Sequence, residues 1–338
     1  MSPDQPEGAA PEPQPPSYES PAPEPQQPAP RSRWRRIVPW AFGCGCLIWI
    51  ILPLIFVVGL LSALLPGEPA GPKVALIRVS GVIHAGSEGG ILGGGTAGAE
   101  TLVERVERAR RDPSVKAVVL RINSPGGTVA GSEEIYKEIK RVRASKPVYA
   151  SMGDVAASGG YYISCACTRV FADSSTATGS IGVIFESPNL AGLFKKLGVD
   201  LQVVKTGKFK DIGSPSRPLT PEERRLIQDM INDSFEQFIG VVSEGRSMPK
   251  ARVRQLATGR VFTGRQAKRL GLVDEIGDLR DTTLAAARAG GIRGEPTVVK
   301  YGPRGLFAGA FGDSSTADEN PIRDRGSVTD AVLRRLAR

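Results

Sequence analysis

Two short stretches combine residues that can carry acyl-transfer chemistry. The first, DVAASGGYYISCAC, begins at Asp154 and places Ser158 between alanines and glycines at the start of an apolar segment of helical character. A serine at a sharp turn into a helix presents its hydroxyl beside backbone N–H groups that lack intrahelical partners, and those groups stabilise developing negative charge. Serine beside glycine is also an ordinary cap or turn residue. The second stretch, KAVVLRINSPGG, ends a predicted strand and turns sharply at Asn123 to Gly127. Loops at the carboxyl ends of strands are where open α/β sheets bind ligands, and glycines there admit close backbone approach. The loop has neither a GK[ST] ending nor GxGxxG spacing, so phosphate binding is not indicated. As an isolated feature it also reads as a tight turn.

The chain has one histidine, His84, which leaves no His-rich metal site and a single imidazole for any triad. A lone histidine is more often structural than catalytic. A lysine has an unperturbed pKa of about 10.4, so one serving as base must be held among apolar or cationic groups that favour its neutral form. No metal and no cofactor are expected. Cys165 and Cys167, two residues apart on a helix, would point to different faces and read as small buried residues rather than a disulfide.

Around these stretches the chain has four regions. Residues 1–36 form a Pro-rich tail with a basic stop; the first thirty hold eleven prolines, five acidic residues and no basic ones. Such a segment cannot bury enough apolar area to offset its ordering entropy, and disorder is expected. Residues 37–65 contain no charged side chain over 29 positions, more than the roughly 20 a bilayer core demands, and read as one retained transmembrane helix. Arg31, Arg33, Arg35 and Arg36 flank its front, which places the N-terminus in the cytoplasm and the remainder outside. Residues 70–300 form the catalytic domain, and 301–338 a loose polar tail with a possible short helix near its end. The net charge of +9 is scattered and lacks zinc spacing or an RNA-binding signature, so no nucleic-acid partner is expected.

Within the catalytic domain, KVALIRVSGVI, KAVVLRIN and KPVYASM read as strands alternating with helices at 99–111 and 132–145. This βαβαβ order implies a parallel sheet covered by helices. The alternation continues through a strand RVFADS, a helix NLAGLFKKL, a strand DLQVVKTG and a long helix opening at TPEER, where Thr220 caps, Pro221 lies in the first turn and Glu223 at the box position. Further helices are expected near Lys250 and Gly264.

Taken together, INSPGG after an apolar strand, ASGGYYIS, TGSIGVI, GKFKDIGSPSRPLT and the late RVFTGRQAKRLGLVDEIG resemble the signal peptide peptidase A family over roughly residues 73–300. These are membrane-anchored serine peptidases related in fold to ClpP and the crotonases. The resemblance implies a ClpP/crotonase-like α/β fold with a parallel sheet and flanking helices, preceded by one N-terminal transmembrane helix. It places the nucleophile on Ser158, the general base on Lys210 in FKDIGSP, and the serine that orients the lysine amine on Ser180. It places the oxyanion hole on the N–H groups of Gly127 and Gly159. Lys205 and Lys208 are separated from Lys210 only by the motif. One copy of the motifs matches the short form of the family, which assembles into ring-like homo-oligomers where a lysine can come from a neighbouring subunit. Peptide substrates, among them signal-peptide remnants, are the implied partners. Two other readings use the same fold, a crotonase-like thioester enzyme and an inactive membrane scaffold. The first needs no Ser-Lys pair and has little reason for a membrane anchor; the intact motif residues speak against the second.

Overall fold

A computed structural model describes residues 51–57, 71–87 and 96–302. The chain divides into two units, Met1–Glu68 and Pro69–Arg338. In the first unit, residues 51–57 are helical with exposed side chains. The Pro-rich tail, the other residues of the expected span, and the C-terminal tail with its short helix lie outside the described residues. Among the described residues no helix is long and apolar enough to cross a membrane.

The second unit is built on a parallel sheet, as expected. Its strands are β1 (Lys73–Ser80), β2 (Val82–His84), β3 (Thr96–Gly98), β4 (Val115–Ser124), β5 (Val148–Ala157), β6 (Arg169–Ala172), β7 (Ala177–Gly179), β8 (Val261–Thr263), β9 (Glu275–Ile276) and β10 (Thr297–Lys300). The main sheet runs β10-β1-β4-β5-β6-β9 with parallel pairing throughout, while β7 pairs with the end of β5 and, antiparallel, with β8. The helices are α1 (Ala99–Arg111), α2 (Val129–Arg143), α3 (Gly159–Ser164), α4 (Ala191–Lys196), α5 (Pro221–Gly245), α6 (Lys250–Leu256), α7 (Gly264–Leu270) and α8 (Leu279–Ala289).

Alternation along the strands decides which helices cover which face. Ala75, Ile77 and Val79 of β1 and Val118, Leu120 and Ile122 of β4 join the core that holds Leu102, Ile135, Ile139 and Ile163 from α1, α2 and α3. Val74, Leu76, Val119, Tyr149 and Phe171 point the other way and meet Ala286 and Ala287 of α8. With both faces covered, the strands read as nearly continuous apolar runs.

The structure departs from the sequence reading at two places. KVALIRVSGVI is not one strand: Gly81, at φ 82°, breaks it, and β2 turns away to pair with β3. DLQVVKTG joins no sheet, because no neighbouring strand supplies hydrogen bonds to it, and Val204 in its middle is fully exposed. The cap of α5 forms as read: the Thr220 hydroxyl accepts from Glu223 N at 3.2 Å and the Glu223 carboxylate accepts from Thr220 N at 2.9 Å.

Candidate active site

The elements around Ser158 hold it in a conformation that serine rarely adopts. It caps α3 at φ 51°, ψ −118°, directly after the last residue of β5. Its N–H donates to Gly179 O at 2.8 Å, which ties the turn to the end of β7. The buried hydroxyls of Thr176 and Thr178 donate to Gly153 O at 2.8 Å and Ala156 O at 2.7 Å, fixing the last turns of β5. Behind α3, the Tyr161 hydroxyl donates to Leu272 O at 2.9 Å. Together these bonds over-determine the turn, and that is how strain of this kind persists at functional sites. Holding an L-residue in so sparsely populated a region costs about 1–3 kcal/mol, a cost glycine largely avoids. Ser158→Gly is therefore expected to raise the melting temperature by at least about 2 °C while removing the hydroxyl, and Ser158→Ala, which keeps the strain, to leave it unchanged. Thermal unfolding of the two variants beside wild type checks this; a glycine variant that melts no higher than the alanine variant contradicts the strained turn.

The SPGG loop packs against the same turn. Gly126 N donates to the buried Ser124 hydroxyl at 3.1 Å, Gly126 O accepts from Ile83 N at 2.8 Å, and Thr128 N donates to Ile83 O at 2.9 Å. The contact is too close for side chains. A Cβ on Gly126, which sits at φ 104°, would lie 2.6 Å from Gly159 N, and one on Gly127 would lie 1.8 Å from Ile83 O. A Cβ on Gly159 would stand 3.2 Å from Gly127 N and 2.4 Å from the Ser132 hydroxyl. Gly127 and Gly159 therefore lie side by side next to Ser158. Among the described residues neither N–H finds an acceptor within the chain. A hydroxyl flanked by two unused N–H donors is the arrangement acyl transfer requires.

Ser158, Ser180, Gly127 and Gly159 all line one cleft of about 810 Å³. Ser180 is also held at positive φ, 49°, by its N–H bond to Arg260 O at 2.9 Å. The far wall comes from α5, whose Ile231, Phe235 and Phe238 face the opening, and the end is closed by Tyr162, whose ring centroid lies 5.1 Å from that of Phe238. No charged side chain lines the cleft among the described residues.

Lys210 stands apart from this group. It is exposed, in the turns between 206 and 214, and does not line the cleft. Its two neighbours are engaged: Lys205 pairs with Asp211, and Lys208 with Glu222. Arg217 and Lys205 together hold the Asp211 carboxyl well below the usual carboxylate range, and Arg217 holds Glu223 down at about 2. Among the described residues the Lys210 amine has no hydrogen-bond or ion-pair partner. So within one chain four of the five expected site residues come together and the fifth does not.

Ser124, Ser132, Thr176, Thr178 and the apolar stripe on α5 were not singled out from sequence. The stripe was readable, since Ile227, Ile231, Phe235 and Phe238 recur at helical spacing in a helix whose other face is charged. The serines and threonines carry no local signal that separates a loop-bracing hydroxyl from a solvated one. His84 is half-buried in β2, with Nδ1 3.0 Å from Ala85 O, and does not line the cleft. Cys165 and Cys167 are free and buried, and burial pushes the Cys165 thiol up to about 12. No metal-binding cluster occurs among the described residues.

Comparison with known proteins places the chain in a family. The profile of Peptidase family S49 matches residues 140–293, and that of Clp protease residues 97–176. A protein under a protease name in Methanocaldococcus jannaschii is 34% identical over 277 residues, covering 77% of this chain and 89% of its own length. One under the name signal peptide peptidase SppA in Enterococcus faecium is 36% identical over 230 residues, covering 68% of this chain and 67% of its own. Protease 4 of Salmonella typhi is 38% identical over 218 residues, which cover 64% of this chain but only 34% of that longer protein. With the ClpP-like parallel sheet and a serine set beside paired glycine amides, these matches establish that the chain belongs to peptidase family S49 and is a serine peptidase of the SppA type.

Proposed function

We propose that the protein is a membrane-anchored endopeptidase in which Ser158 attacks the scissile carbonyl and Lys210 is the general base. In this reading Ser180 orients the lysine amine, and the N–H groups of Gly127 and Gly159 hold the tetrahedral oxyanion. The acyl-enzyme formed at Ser158 is then hydrolysed by a water that the lysine deprotonates. The observation that carries the reading is the strained Ser158 turn facing two unused amides in one cleft.

Because Lys210 lies outside the cleft of its own chain, the dyad is completed between subunits of a homo-oligomer. The surface that carries Lys210 favours such assembly. Leu197, Val203 and Val204 are all at least half exposed along residues 197–204, an apolar surface that calls for a partner, and a second subunit there would give an amine the apolar cover it needs to be neutral. The uncharged residues 37–65 anchor the chain, with its N-terminus in the cytoplasm and the catalytic unit outside.

The substrates are hydrophobic peptides, of the kind left when signal peptides are released. Support comes from the cleft wall of Ile231, Phe235, Phe238 and Tyr162 with no charged group to solvate an ionic side chain. Across peptides that differ only at the residue preceding the scissile bond, alanine or leucine is expected to give kcat/KM at least about 100-fold above lysine or aspartate. Equal turnover of the charged peptides would contradict the assignment of this wall to side-chain recognition.

A further inference from the structure

The parallel sheet separates charge along its strands. Take the contiguous strands β10, β1, β4 and β5. Their amino ends are served by Lys73 and the turns at 110–116, 143–147 and 288–296. Those segments hold eight Lys and Arg residues against Asp112 and Glu295. The turns at the carboxyl ends of the same strands, 81–87, 124–128, 154–158 and 301–302, hold no Lys or Arg at all. Although the chain-wide charge of +9 is scattered, these four strands have a net +6 at their amino ends and no basic residue at the ends beside the cleft.

The amino-end turns form one surface. Gly290, after α8, packs on the backbone of Lys116, where a Cβ would lie 2.6 Å from Lys116 O. Lys146 donates to Ala109 O at 2.8 Å and Asp112 O at 2.6 Å, and stands close enough to Lys116 and Arg110 for their charges to lower its pKa, after burial. Lys116, Arg288 and Arg293 are exposed. Some of the charge is offset within the fold: Glu107 pairs with Arg110 and Arg111, and toward β6 and β9 Arg169 pairs with Glu275 and Arg246 with Asp274. Lys116, Arg288 and Arg293 have no such partner among the described residues.

The linker to the uncharged run is short. Seven residues, 66–72, separate the uncharged run 37–65 from Lys73, and at full extension they span at most about 25 Å. We infer that the amino end of the sheet, centred on Lys116, Arg288 and Arg293, docks on anionic phospholipid headgroups of the bilayer that holds the anchor. This rests on the anchored reading given above. The docked face sets the position of the cleft. β5 is ten residues long, so Ser158 lies roughly 33 Å along the strand from the basic end that docks.

The test uses the full chain in nanodiscs of phosphatidylcholine alone or with roughly 30% phosphatidylglycerol, the anionic fraction supplying the surface potential. Amine acylation is mapped by mass spectrometry. Each basic residue at an anionic surface contributes a factor of about five to its occupancy. Lys116 is accordingly expected to react at least about fivefold more slowly in the anionic discs, with the difference lost at high salt and Lys250 unaffected. The variant Lys116→Glu/Arg288→Glu/Arg293→Glu, which leaves the cleft untouched, is expected to cleave peptide normally in detergent but to show the same Lys146 reactivity in both discs. Equal Lys116 reactivity in both discs, with the chain resisting alkaline carbonate extraction, overturns the docking and spares the anchor. Release of the chain by carbonate overturns both.

Discussion

Lys210→Ala is expected to lower kcat by at least about 10³-fold, while Lys205→Ala and Lys208→Ala stay within a few-fold of wild type. The three lysines are close in sequence and were separated at first only by a motif. Their surroundings separate them physically: Lys205 and Lys208 hold Asp211 and Glu222, whereas Lys210 is exposed and engages nothing among the described residues. An amine with no partner in its own chain is available to a neighbouring subunit. This leads to a second, sharper outcome. Inactive Ser158→Ala subunits carry an intact lysine, and inactive Lys210→Ala subunits carry an intact serine. Co-assembled from a denatured or co-expressed mixture, they are expected to recover a substantial share of wild-type activity, because some sites then draw the serine from one and the lysine from the other. Each variant alone stays silent. No recovery in mixed oligomers of confirmed composition would place the base within the same chain as the nucleophile.

Gly127→Ala is expected to cost about 10²–10³-fold in kcat, the scale of losing one oxyanion donor. The added methyl would lie 1.8 Å from Ile83 O, so either the SPGG loop or β2 must move. Gly127 N and the Gly159 backbone lie side by side, and displacement of a few tenths of an ångström takes the donor off the oxyanion. KM should change far less than kcat, since the hole acts on the transition state. Gly126→Ala makes a useful companion. Its methyl would meet Gly159 N at 2.6 Å and it starts from φ 104°, so that variant, like Gly127→Ala with its closer clash, is expected to lose both activity and stability. Steady-state kinetics with thermal unfolding on the two variants separates the outcomes; a Gly127→Ala enzyme with wild-type kcat would remove its amide from the reaction.

Much of the catalytic unit was legible because its signals are local or periodic. The apolar runs of β1, β4 and β5 and the amphipathic stretches of α1 and α2 are repeated patterns, and the TPEER cap uses three neighbouring residues. The glycines of SPGG and SGG mark places where backbone meets backbone, which the distances to Ile83 and Gly159 bear out. What was not legible depends on partners distant in sequence. DLQVVKTG has the composition of a strand, but a strand needs a neighbour, and in one chain none lies beside it. The bracing hydroxyls of Ser124, Thr176 and Thr178 look like any polar residue until the carbonyls and N–H groups they serve are brought near. The position of Lys210 relative to Ser158 belongs to the same class: motif order brackets the two residues without fixing whether they meet within a chain or across one.

The central claim is that Ser158 is an activated nucleophile. The most direct measurement is labelling of the full-length oligomer with a fluorophosphonate, followed by peptide mapping of the adduct. A single phosphonyl adduct on Ser158, absent in Ser158→Ala and strongly slowed in Lys210→Ala, is the predicted result. An adduct on another serine, or labelling of Ser158 at the same rate without Lys210, would contradict it.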